Sequence, residues 1–144
     1  MVCLRTLPLE CASILIDASW YLSQPHTDKT DCDMALVEHY RALITTLLND
    51  MAEAIAPSPD IEHVVIADHE RDQYMLLFVG WVQGRRLLDI GVYLRIRDGK
   101  IWIEANYGPD WVAEQLVAAG IPRQDIVLGF QLPHLRALTD YAVA

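Results

Sequence analysis

A chain of 144 residues is long enough for one domain around one core, and a hydrophobic fraction of 53% with only 7 glycines and 7 prolines excludes a low-complexity or disordered composition. The formal charge is −9, from 11 basic against 20 acidic residues, and Lys29 and Lys100 are the sole lysines. Binding DNA unaided needs a basic footprint that releases counterions from phosphates, so this balance predicts no direct nucleic-acid binding and favours protein partners.

Cys3, Cys11 and Cys32 all precede Met34. Their number is odd and none are at C-x-x-C spacing, which predicts reduced thiols in a cytoplasmic protein, with neither a disulfide framework nor a zinc site. Glu10 and Asp17 interrupt the apolar stretch after Arg5, so no signal peptide is expected, and no run is long and apolar enough for a membrane span. Residues 1–33 read as an N-terminal extension, with residues 24–30 a linker, and residues 34–144 read as the domain.

From Met34, apolar residues recur at Val37, Tyr40, Ile44, Leu47 and Met51, flanked by Leu36, Leu43, Leu48 and Ile55. That is the spacing of a core-facing helix, with Asp33 its expected N-cap and Pro57 and Pro59 ending it before Ala56. Between Ile61 and Asn106 the period becomes two, and turn signals divide the stretch into four strands. A two-residue loop at Gln83-Gly84 would set Val79 opposite Leu88, Leu77 opposite Ile90 and Met75 opposite Val92. Another at Asp98-Gly99 would set Ile96 opposite Ile101, Leu94 opposite Ile103 and Val92 opposite Ala105.

Both registers put these aliphatic residues on one face, joined by Val64 and Ile66 once residues 69–72 turn the chain. The other face then carries Tyr74, Leu76, Phe78, Leu87, Tyr93, Arg95 and Trp102, with Arg95 placed to stack on Trp102. Aromatic residues among arginines are the composition enriched at protein interfaces, so this set is the expected interaction face. Beyond the sheet, Pro109 opens a short helix that Gly120 closes before Pro122. Residues 126–130 form a short fifth strand or extended segment, and Pro133 starts a last helical turn. The expected fold is α+β: an N-terminal helix, an antiparallel meander of four to five strands and short C-terminal helices.

One ordered string of motifs is specific as a set. It comprises Asp68, Arg71, Asp72 and Tyr74; Gly80-Trp81 with Arg85-Arg86; Gly99-Lys100 and Trp102; then Gly120, Pro122, Asp125, Gly129 and Phe130. With Tyr40-Arg41 and the closing Ala142-Val143-Ala144, it resembles the XisI-like family, the controlling factors of fdxN-element excision in filamentous, heterocyst-forming cyanobacteria. The resemblance implies an accessory protein with no catalytic residues and no cofactor, typically paired with a XisH-like protein similar to restriction-type nucleases, and we expect self-association as a dimer. It covers residues 34–144. Family members usually begin near Met34, which favours a start at that residue over a genuine extension.

Two other functions leave traces in the sequence. Pro59-Asp60 with Asp98-Gly99-Lys100 spells the acid and lysine pattern of a metal-dependent nuclease, although that chemistry needs Asp98 and Lys100 on a strand and a hairpin tip explains them better. An antitoxin or immunity role, with an acidic surface masking a basic nuclease, is the milder alternative. Asp68, His69, Glu70 and Asp72 read as a charged turn, not a metal site, and His39, His63 and His134 as surface or structural residues.

Overall fold

The structure, a computed structural model, describes residues 29–107 and 111–144. Cys3, Cys11, most of the expected extension and the Pro109 helix start lie outside the described residues. The chain divides into two compact units, Met1–Tyr40 and Arg41–Ala144. In the first, the described residues form the opening turns of helix α1 (Lys29–Ala54), where His39 and Tyr40 have ring centroids 6.2 Å apart. The expected start after an Asp33 cap is corrected: the backbone is already helical at Lys29, and Asp33 lies inside the helix. No glycine or proline interrupts that span, and Asp31 in the first turn complements the positive end of the helix dipole.

The second unit contains the rest of α1 and a five-stranded sheet in the order β1 (Ile61–Asp68), β2 (Gln73–Val82), β3 (Arg85–Arg97), β4 (Lys100–Asn106) and β5 (Ile126–Leu128). The first three pairings are antiparallel and β4–β5 is parallel. Helix α2 (Trp111–Ala118) and a 3-10 turn (Arg123–Asp125) connect those last two strands, and the single turn α3 (Pro133–Arg136) follows β5. Gly120, at φ 98°, closes α2. Its N–H donates to the Val117 carbonyl and the Ile121 N–H to that of Leu116, the paired bonds of a left-handed helix stop.

Both hairpin loops have two left-handed residues, Gln83-Gly84 at φ 50° and 76° and Asp98-Gly99 at φ 53° and 72°. This is the turn whose twist matches paired strands. The adjoining registers agree with expectation: Val79 pairs with Leu88, Leu77 with Ile90, Ile96 with Ile101 and Leu94 with Ile103. Between them the ladder slips twice. Leu76 pairs with Val92 while Leu77 pairs with Ile90, leaving Gly91 as an extra residue; Leu94 pairs with Ile103 while Tyr93 pairs with Ala105, leaving Glu104 as another. Met75 therefore faces Tyr93 and Val92 faces Asn106, not the expected partners.

Each slip moves a strand segment to the other face. The core face holds Tyr74 and Leu76 with Val92, Leu94, Ile96, Ile101 and Ile103, all buried. Ile44, Leu48 and Met51 of α1 and Val112, Ala113 and Leu116 of α2 supply the helical part of the core. Each such aliphatic side chain stabilises the fold by roughly 1.5–3 kcal/mol relative to exposure.

Candidate interaction surface

The β1–β2 turn is built by its own acids. Asp68 accepts hydrogen bonds from the backbone N–H groups of Glu70 and Arg71, and Arg71 adds an ion pair at 3.0 Å. These donors, led by the Arg71 N–H, hold the Asp68 carboxyl below the usual range. Asp72, left-handed at φ 54°, receives a bidentate contact from Arg41 of α1 at 2.7 and 3.1 Å, while its carbonyl accepts the Ile96 N–H. Tyr74 is fully buried, and its hydroxyl lies 3.2 Å from His69 Nδ1. Burial, aided by the Asp72 charge, pushes its phenol up to about 12. Asp68, Arg71, Asp72 and Tyr74 thus form a turn latched to a helix.

The glycines of the motif string record close approaches. A Cβ on Gly80 would stand 2.0 Å from the Asp60 carbonyl oxygen, which accepts the Trp81 N–H. A Cβ on Gly129 would stand 2.8 Å from a Glu104 carboxylate oxygen, and the next N–H, of Phe130, donates to the Ile103 carbonyl. Asp125 ends the 3-10 turn by donating its N–H to the Pro122 carbonyl.

The expected interaction face is divided by the two bulges. Tyr74 and Leu76 are core residues, and Phe78 and Leu87 share their side of the sheet, paired with Asp89 and Gly80. Tyr93, Arg95 and Trp102 lie on the opposite side, where Tyr93 donates to the Gln73 side chain at 3.1 Å. Arg95 is paired across the strands with Trp102 as expected, but its guanidinium binds Glu104 at 3.3 Å. The guanidiniums over the indole are those of Arg97 and Arg136, at 5.4 and 5.2 Å. Arg136 also donates to the carbonyls of Leu128, Gly129, Gln131 and Val143, holding the C-terminal segment to the sheet.

Aliphatic residues expected to share one face with Val92, Leu94 and Ile96 occupy the outer face of β1–β3 instead. Ile66, Leu88 and Ile90 are exposed there, Leu88 to 70%, and Val64, Met75, Leu77 and Val79 are half-buried between them. Trp81 continues the patch at 57% exposure with the Arg86 guanidinium 5.6 Å over its ring. Assigning the faces correctly turned on Gly91, because a glycine inside a strand is a bulge signal. Its missing side chain leaves room for the Phe78 ring, which a Cβ would meet at 2.5 Å.

The two halves of the nuclease-like pattern do not meet. Asp60 precedes β1 at the Gly80 end of the sheet, and Asp98 and Lys100 flank the turn at the other end of β3, on the order of 30 Å away at one strand rise per residue. Lys100 donates to the Ala144 carbonyl, and Asp98 is exposed beside Arg97. Among the described residues, no three His, Cys, Asp or Glu side chains are grouped as a cation site would require, and no helix is long and apolar enough to cross a membrane.

The family described as XisI protein matches residues 34–143. The chain belongs to the XisI family. The fold of this XisI-family chain is similar to that of a XisI-like protein from Anabaena variabilis, with a TM-score of 0.71 and 40% identity over 75% of this chain and 99% of the other. It is also similar to the fdxN element excision controlling factor XisI from the same organism, at TM-score 0.67 and 38% identity over 75% and 98% of the two chains. Among curated proteins no match to the chain is found. The XisI match begins at Met34, within α1, and takes in the latched turn, both bulges and the Arg136 clasp.

Proposed function

We propose that this XisI-family chain is a non-catalytic accessory factor of DNA-element excision that acts by binding a XisH-like, nuclease-like protein. The observation that carries the reading is the outer face of β1–β3: an aliphatic sheet surface left in solvent on a chain of net charge −9. Contiguous exposed apolar patches mark protein contacts, and excess negative charge disfavours a direct grip on phosphates. The motif acids support the same reading, since Asp68 and Asp72 are engaged in the turn and its latch. One relative is named as an excision controlling factor, which fits a regulatory role.

Copurification tests it. The full chain, coexpressed with a XisH-like protein from the same genome, is expected to elute as a stable complex, and a Leu88→Glu variant is expected to weaken that complex at least tenfold. The purified chain with magnesium and supercoiled DNA is expected to leave the DNA intact. Cleavage that disappears in Lys100→Ala, or the absence of any complex, overturns the proposal.

A further inference from the structure

We infer that the free edge of β1 takes up an extended basic segment of another protein as an added strand of the sheet. The site is the edge of the sheet and not its outer face, and it stands whether or not the outer face binds a XisH-like protein.

The ladder decides which backbone groups are open. The Trp81 N–H donates to the Asp60 carbonyl, so these two residues are a hydrogen-bonded pair, and in an antiparallel ladder such pairs recur at every second residue. Glu62, Val64, Ile66 and Asp68 therefore bond to β2, and the N–H and C=O groups of His63, Val65 and Ala67 point away from it. Strand β1 is the first of the sheet, and among the described residues no backbone group meets those three; the N–H of Ile61 alone finds a partner on that side, the Ser58 carbonyl. The opposite edge is closed by the chain itself, where Ala142 forms a bridge with Val127 and donates its N–H to the Ile126 carbonyl. Natural sheets blunt an open edge with lysine, proline, a bulge or a very short strand. Strand β1 has eight residues, neither lysine nor proline, and no slip in its register.

Charge selects the occupant. Between Arg41 and Arg71 the chain has six acids, Asp50, Glu53, Asp60, Glu62, Asp68 and Glu70, and neither lysine nor arginine. Asp68 is matched by Arg71, but Asp60, Glu62 and Glu70 are exposed and have no ion pair among the described residues. A second copy paired edge to edge about Val65 would set Glu62 against Asp68 and Asp60 against Glu70, acid against acid. A segment with basic residues at alternate positions meets Glu62 with opposite charge on one side of the sheet and lays its apolar residues beside His63 and Val65 on the other. Backbone bonds supply the attachment, and the acids choose the partner.

Amide exchange of the full chain, with and without the peptide acetyl-Lys-Val-Lys-Val-Lys-Val-Lys-amide, reads this residue by residue. In the free chain the His63, Val65 and Ala67 amides are expected to exchange fast for a strand, and at saturating peptide to slow by about tenfold or more while those of β3 are unchanged. Ala67→Pro removes an outward N–H and no bond to β2, and is expected to weaken peptide binding by about tenfold. Glu62→Lys is expected to weaken it several-fold, Leu88→Glu to leave it unchanged, and the peptide with glutamate in place of lysine not to bind. Circular dichroism checks that each variant is folded; if Ala67→Pro is not, the exchange pattern and Glu62→Lys decide. The inference is overturned by a peptide that protects none of the three amides, or by a glutamate peptide that binds as well. Slow exchange at those amides in the free chain, as an edge already covered by another segment would give, overturns it too.

Discussion

Tyr74 shows what a single side chain contributes through its surroundings. In the unfolded chain its phenol titrates near 10.0, whereas in the fold burial and the Asp72 charge move it to about 12. Below pH 10 both states carry the proton, and the group adds no pH dependence. Between the two values the unfolded state releases it while the folded state keeps it, so stability falls as pH rises through that window, by roughly 3 kcal/mol for a two-unit shift. Denaturant unfolding from pH 9 to 12 is expected to show this loss, and Tyr74→Phe is expected to be flatter by that amount. Equal slopes would place the phenol in contact with solvent. Gly80 makes a steric argument instead. With the Asp60 oxygen where a Cβ would go, Gly80→Ala must push β1 off β2 or break the Trp81 to Asp60 hydrogen bond. A loss of roughly 3 kcal/mol is expected by denaturant unfolding, against the near-neutral outcome of filling an open glycine site.

At the scale of elements, local chemistry set the hairpins and long-range contact set the bulges. Gln83-Gly84 and Asp98-Gly99 name their turn type through their glycines, because a residue with no Cβ enters the left-handed region at no steric cost, and each turn fixes the register of the residues next to it. The slips at Gly91 and Glu104 depend on what packs over them, and a count of alternating residues cannot see that. The C-terminal segment was likewise only partly legible. Pro133 announced a turn, but nothing in the sequence said that Arg136 would cover Trp102 and gather four backbone carbonyls from residues 128–143. Arg136→Lys keeps the charge and loses the planar fork that reaches several acceptors together. It is expected to raise amide exchange across residues 129–144 at least tenfold while leaving β1–β3 unchanged, and uniform exchange throughout would show that the clasp does not hold the segment.

Across the whole molecule, the helix, the strands, both hairpin turns and the family were legible in the order of residues alone, since each rests on interactions between residues a few positions apart or on an ordered set of motifs. That order also marked the residues of the latched turn, although it could not pair Asp72 with Arg41 across 31 positions. Which side of the sheet is the core came from long-range packing. The side-chain period of a strand is two, so one extra residue exchanges inside for outside along everything beyond it. Of the expected aliphatic face, the residues before the Gly91 bulge became the outer surface of β1–β3 while Val92, Leu94, Ile96, Ile101 and Ile103 stayed in the core, and Tyr74 and Leu76 of the expected aromatic face joined them. The face through which this chain is proposed to work was therefore fixed by the space over Gly91, where a ring from the neighbouring strand takes the place of a side chain.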